Sequence, residues 1–169
     1  AYLTKRGYDE DAVRTFGLGY APAAWDRLVQ TAARRSVGGE VLEDAGLAVP
    51  RREGGWYDRF RHRVIFPIAE LQGRVITFGA RALNDDDQPK YLNGPETLVF
   101  KKANVLYALD RARDAIRKQG EALLMEGYTD VLTCHLHGLD RAVAGMGTAF
   151  TPQQARLLKR FTQRVVLVY

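Results

Sequence analysis

Apolar and polar positions change period near the middle of the chain. In the first half, Asp9 is placed to cap a helix that runs to Phe16 and is closed by Gly17, and Trp25 to Arg35 repeats apolar residues at helical spacing. A turn-rich stretch follows. Arg63 to Ile68 and Arg74 to Leu83 are β-rich runs separated by AELQG, which predicts a hairpin. Asn84 to Pro89 (NDDDQP) predicts an exposed acidic turn and Lys90 to Lys102 an irregular segment. Ala103 to Lys118 then has the periodicity of an amphipathic helix leading to Gly120.

After Gly120 short elements alternate. Glu121 to Met125 predicts a strand, Tyr128 to His137 a helix stopped by Gly138, and Arg141 to Met146 a strand. Thr151 to Phe161 predicts a helix opened by the N-cap pair Thr151-Pro152, and Arg164 to Tyr169 a strand. A β-α-β-α-β order implies a parallel sheet with right-handed crossovers. Glu126, the turn Gly145-Met146-Gly147-Thr148 and Tyr169 then share one carboxyl edge, where open α/β sheets build their sites.

The first strand of this half carries the strongest chemical signal. Its apolar run ends abruptly in Glu126, Gly127, Tyr128, Thr129 and Asp130. Glu126 would stand at the strand end, Gly127 would permit a tight backbone turn, and Asp130 would sit one helical turn on, near the same mouth. Such carboxylates can hold Mg²⁺ or move a proton during phosphoryl or nucleotidyl transfer, or they can simply cap and charge the first turn of a helix. The Gly145 to Thr148 turn can admit a phosphate to backbone N–H groups or can serve only as a tight connection. Cys134, His135 and His137 form a CHLH cluster without a second ligand pair, on one short helix whose faces can absorb them, so a zinc site is not expected there.

Composition adds bounds. The 169 residues, 46% hydrophobic and 27% charged, suit one large or two small globular domains, and a net charge of +5 suits a polyanionic partner or serves solubility. A single cysteine excludes an intramolecular disulfide, and no apolar stretch approaches the roughly 20 residues of a membrane span. A soluble, non-secreted protein is expected. Ala1 opens the chain in a helix-like phrase and Tyr169 ends it on a strand-like one, so a piece of a longer protein is also expected.

Cations gather in the first half at Arg59, Arg61, Arg63, Arg74, Arg81, Lys90, Lys101 and Lys102. Trp56, Tyr57, Phe60, Phe66, Phe78, Tyr91 and Phe100 are interleaved with them. This pattern suits a groove for single-stranded nucleic acid or nucleotide; the alternative is a core of rings beneath solvated charges.

The phrases YDRFRHRVIFPI, GRVITFGARAL, PKYLNGPETLVFKK, ANVLYAL, LLMEGYTDVL and AVAGMGTAFT occur in this order. In them the chain resembles, over nearly its whole length, the RNA-polymerase core of bacterial replicative DNA primase of the DnaG type. The resemblance implies an α+β, basic amino-terminal subdomain over 1–119. It also implies the amino-terminal part of an α/β, Rossmann-like toprim domain over 120–169, ending after its third strand. It makes Glu126 a catalytic and metal-site residue and Asp130, matching the aspartate that follows it, a second catalytic residue. Arg6 in KRG, Arg81 in GAR, Lys90 in PKYLN and Lys102 in FKK become residues for nucleotide, template or primer.

The implied activity is Mg²⁺-dependent synthesis of short RNA primers from ribonucleoside triphosphates on single-stranded DNA, in the bacterial cytoplasm at the replisome, with no membrane partner. The resemblance puts the remaining Mg²⁺ ligands beyond Tyr169, zinc in a separate amino-terminal domain and the replicative helicase on a carboxyl-terminal one. Primer synthesis is therefore not expected of residues 1–169 alone. A phage or plasmid primase-helicase, or a non-enzymatic single-strand-binding module, stands as the alternative.

Overall fold

The computed structural model describes residues 2–84, 86–147 and 149–169. Two compact units divide them: Ala1–Pro67 with Thr77–Val99, and Ile68–Ile76 with Phe100–Tyr169. Among the described residues no helix is long and apolar enough to cross a membrane.

In the first unit, α1 (Tyr2–Lys5) and α2 (Glu10–Phe16) precede β1 (Gly19–Ala21), and α3 (Arg27–Ala33) and α4 (Gly39–Asp44) follow it. Strands β2 (Ala48–Pro50), β3 (Trp56–Asp58), β4 (Arg63–Ala69), β5 (Val75–Ala82) and β6 (Tyr91–Asn93) complete it, with the shared tip of β4 and β5 counted in the second unit. Helix α2 forms as its sequence predicts: Asp9 Oδ1 accepts from the Ala12 N–H at 2.8 Å, and Gly17 closes the helix in the left-handed conformation, φ 64°. The main sheet runs β1-β4-β5-β6, and the hairpin turns where the Gly73 N–H donates to the Glu70 carbonyl.

Three expectations for this unit are corrected or completed. The segment after Lys90, expected to be irregular, contains β6, because β5 offers an open edge and Tyr91 pairs opposite Arg81. The turn-rich stretch after Arg35 contains α4 and an antiparallel β2–β3 hairpin, which gain stability by burying Ala32, Leu42 and Ala48 together with Trp56. Asn84 and Asp86 of the acidic turn are exposed but Asp87 is half-buried, and Asp85 lies outside the described residues.

In the second unit, a 3-10 turn (Lys102–Asn104) leads to α5 (Leu109–Gln119), β7 (Ala122–Met125), α6 (Tyr128–Leu136), β8 (Ala142–Ala144), α7 (Pro152–Lys159) and β9 (Val165–Val168). The sheet is parallel throughout in the order β8-β7-β9, with Met125 opposite both Ala144 and Val168. All three strands therefore end together, and the expected carboxyl edge is real.

Helix α5 begins at Leu109 and not at Ala103. Tyr107 exchanges backbone hydrogen bonds with Ala144, at 2.9 and 3.3 Å, and Ala108 sits at φ 62°, so the chain extends the sheet before it can coil. Leu106, Leu109, Ala112 and Ile116 pack with Ala122, Leu124, Val143 and Leu158 in one core, against which Leu71 of the hairpin tip also rests. The boundary expected after Gln119 thus falls inside this packing unit, since α5 supplies much of its apolar layer.

Candidate functional site

The centre of the carboxyl edge is Glu126, the residue that follows Met125 on the middle strand. Its side chain is exposed, as is that of Asp130, whereas Tyr128, Thr129, Val131 and Leu132 are buried. Burial of those four anchors the first turns of α6 and leaves the two carboxylates facing water. Asp130 lies at the third position of the helix, where unpaired backbone N–H groups favour negative charge.

Gly127 plays a different part from the one its sequence suggests. Its backbone is extended, φ −115° and ψ 152°, which any residue can adopt. What the missing Cβ provides is room for the Asp130 carboxylate, since a Cβ there would lie 2.7 Å from Asp130 Oδ2.

Around this edge, the ring of Tyr128 meets that of Tyr107 edge-on with centroids 4.8 Å apart. In the glycine turn, Met146 is buried and Gly147 takes φ 71°; Thr148 lies outside the described residues. Lys102 belongs to the same unit and is half-buried, with its carbonyl accepting from Gln154 Nε2 at 3.1 Å.

Arg6, Arg81 and Lys90 belong to the first unit. The guanidinium carbons of Arg81 and Arg6 lie 4.2 and 5.2 Å from the centroid of the Tyr2 ring, so one aromatic residue gathers both cations. Arg81 is buried and donates to the Ala82 carbonyl at 2.8 Å, while its Nε and the Tyr2 hydroxyl have no hydrogen-bond partner among the described residues. Burial pushes the Tyr2 phenol above its usual pKa against the opposing pull of Arg81 and Arg6. Lys90 is exposed, and its carbonyl accepts from the Ala82 N–H at 2.9 Å, which sets it beside the end of β5.

A second basic feature of this unit was only half visible in the sequence. Arg59, Arg61 and Arg63 line a cleft of about 520 Å³ with Trp25, His62 and Asp87. The Arg61 guanidinium carbon lies 4.3 Å from the Trp25 ring centroid and 5.2 Å from that of Tyr57, and the two rings meet edge-on. Burial lowers the pKa of Arg59 and of Arg63, and Arg59 Nε is buried without a hydrogen-bond partner among the described residues. The arginines stood out by sequence; Trp25 read only as a helix position, because its neighbours here are more than thirty positions away.

The family described as DNA primase catalytic core, N-terminal domain, matches residues 1–113. The chain belongs to this family. A Toprim-like family matches residues 123–169, the stretch that forms the parallel sheet. The DNA primase of Synechococcus elongatus is 48% identical over 165 residues, which is 96% of this chain and 24% of that protein. The chain therefore spans about a quarter of the length of that curated relative.

Among solved structures, the RNA polymerase domain of Mycobacterium tuberculosis primase DnaG is similar. In complex with a double-stranded DNA oligomer carrying a 6-nucleotide overhang, it has a TM-score of 0.93 and 42% identity, covering 99% of this chain and 55% of that one. A DnaG primase catalytic domain bound to single-stranded DNA has a TM-score of 0.89 and 41% identity, covering 99% of this chain and 54% of that one. The primase-core family thus covers the α+β first part and the Toprim-like family the parallel sheet.

Within this primase-core chain the CHLH cluster is absorbed locally. Cys134 Sγ lies 3.6 Å from Met125 Sδ, His135 Nε2 lies 2.8 Å from the Ala142 carbonyl oxygen, and His137 Nδ1 lies 2.9 Å from that of Thr133. Among the described residues, no three of His, Cys, Asp and Glu come together as a metal-holding group.

Proposed function

We propose that this chain is the part of a bacterial DNA primase that begins the nucleotidyl-transfer centre and carries basic surfaces for template, primer and nucleotide. The observation that supports this most is the exposed Glu126 at the carboxyl end of the central strand, with Asp130 one turn on, in a chain of the primase-core family. Residues 1–119 carry Arg6, Arg81, Lys90 and Lys102, and residues 120–169 carry Glu126 and Asp130.

The two carboxylates suit Mg²⁺, which takes one or two protein carboxylates and completes its shell with water and substrate phosphates. When bound, Mg²⁺ would neutralise charge on the triphosphate. In the reaction the 3′-hydroxyl oxygen of the primer attacks the α-phosphorus of a ribonucleoside triphosphate. The α–β phosphoanhydride bond breaks, pyrophosphate leaves, and the hydroxyl proton passes to a base. Glu126 would hold the metal or take that proton. Arg6, Arg81, Lys90 and Lys102 meet the negative charge of template, primer and triphosphate.

The cleft of Trp25, Arg59 and Arg61 combines stacking rings with cations, the chemistry that takes single-stranded DNA. Contact with the replicative helicase, and zinc, are assigned to sequence other than residues 1–169; the setting is the bacterial replisome.

The deciding experiment is Glu126→Gln in a primase that contains this chain. Primer synthesis with ribonucleotides and Mg²⁺ should fall by about 100-fold or more while single-stranded DNA binding persists. Unchanged synthesis would overturn the reading and favour a binding module whose acids are structural.

A further inference from the structure

Gln154 is polar and fully buried, and its amide makes more hydrogen bonds than a helix start requires. Thr151 Oγ1 accepts from the Gln154 N–H at 3.0 Å and Gln154 Oε1 accepts from the Thr151 N–H at 3.1 Å, which is a complete capping box for α7. The box leaves the threonine hydroxyl proton and the glutamine amide protons unused. In this unit, Thr151 Oγ1 donates to the Ala103 carbonyl at 2.7 Å, and Gln154 Nε2 donates to the carbonyls of Lys102 and Val105 at 3.1 and 2.9 Å. All three acceptors belong to the one short segment that carries Lys102.

The segment is short and carries its own turn, in which the Asn104 N–H donates to the Lys101 carbonyl at 3.0 Å. Its 3-10 turn is three residues long, with extended backbone at Lys101 and Val105, and the closing hydrogen bond from the Val105 N–H to the Lys102 carbonyl is stretched to 3.5 Å. Helix α7 follows β8, so its amino end lies at the carboxyl edge of the parallel sheet, the edge that presents Glu126. Tyr107 bonds to Ala144 on that edge and packs on Tyr128, so the segment is anchored there at its far end as well.

We propose that Thr151 and Gln154 are positioning residues for nucleotide binding: the capping box of α7 clamps the backbone of Lys102 at the acid edge and fixes where its side chain starts. This rests on the reading of Lys102 as a nucleotide-binding residue. A lysine is a flexible point charge, so the position of its backbone sets the volume its ammonium can search for a phosphate. Without the clamp, the ordering lost from the segment must be recovered when nucleotide binds.

The test measures a primase that contains this chain by two readouts: amide hydrogen exchange at Asn104 and Val105, and affinity for a fluorescent ATP with Mg²⁺. Gln154→Met, close in size but unable to donate, should speed exchange at both amides about tenfold while protection of Leu123 to Met125 persists. It should weaken ATP binding by about threefold to tenfold, and this loss should vanish in a Lys102→Met background, because both changes act on one group. Thr151→Val should behave likewise and Thr151→Ser should recover most of the affinity, which keeps the test decisive if Gln154→Met does not fold. Unchanged exchange, or an equal affinity loss with and without Lys102, would overturn the clamp. Faster exchange with an affinity insensitive to Lys102→Met would instead overturn the nucleotide role of Lys102, and the positioning role with it.

Discussion

The Asp130 carboxylate occupies the space that a side chain at Gly127 would fill, with Oδ2 only 2.7 Å from where a Cβ would stand. Since the extended backbone of Gly127 tolerates alanine, the cost of Gly127→Ala falls on the placement of Asp130. Chemical denaturation should show a loss within about 1 kcal/mol, typical of exchanging glycine for alanine at an N-cap. Primer synthesis by a primase containing this chain should fall about tenfold or more, as misplacement of a reacting group does. Full activity in the variant would show that Asp130 can move without consequence.

Glu121 links the amino ends of the three parallel strands, accepting from Arg141 Nε at 3.1 Å and pairing also with Arg164. Its pKa is lowered, first by the hydrogen bond from Arg164 and then by that from Arg141. A depressed folded-state pKa means that the unfolded chain binds the proton more readily. The stabilisation is therefore present above the ordinary glutamate pKa and is lost as pH falls through the lower folded value. Thermal unfolding of Glu121→Gln should lie below that of the parent chain at neutral pH, and the two curves should converge in acid. A difference independent of pH would exclude ionisation as its source.

Arg61 stacks on Trp25 in the basic cleft, which the proposed function makes a surface for bases as well as phosphates. Trp25→Ala should weaken binding of oligo-dT by about 1–3 kcal/mol, the range for one lost stacking platform. Arg61→Ala should weaken binding and also flatten its salt dependence, by about 0.7 in log K per log salt for each phosphate contact removed. Fluorescence anisotropy over a salt series separates the two effects; a Trp25→Ala variant that binds as the parent does would remove the ring from the site.

Far from the acid edge in sequence, the turn that closes α3 holds Ser36 at φ 59°, where the Val37 N–H donates to the Ala32 carbonyl at 3.0 Å. This is a glycine-type helix stop made by serine. Ser36→Gly should stabilise the chain by about 0.5–1 kcal/mol in denaturant titration, with nucleic-acid binding unchanged. A destabilised variant would mean that the serine side chain makes contacts worth more than the backbone strain.

Local signals read well wherever one turn of chain contains its own partners. Asp9 and Gly17 bound α2, Thr151 and Pro152 start α7, and the alternation after Gly120 yields the parallel sheet, because each depends on residues within a turn or two of one another or on uninterrupted apolar runs. Segments governed by distant partners read poorly. Strand β6 exists because β5 offers an edge, α5 starts late because Tyr107 bonds to Ala144, and α3 is capped by Asp58, whose carboxylate accepts from the Leu28 and Val29 N–H groups at 2.7 and 3.0 Å. Asp26, the residue next to that helix, makes no side-chain cap.

The sequence by itself determined the order of elements after Gly120, the family resemblance and the acids that end the central strand, since period and motif are properties of neighbouring residues. Tertiary structure alone decided that Gly127 makes room for Asp130, that Trp25 lies under Arg61, and that the cap of α7 also grips the backbone of Lys102. Each of these depends on atoms brought together from positions far apart or on the space left between them, and neither is encoded in local spacing.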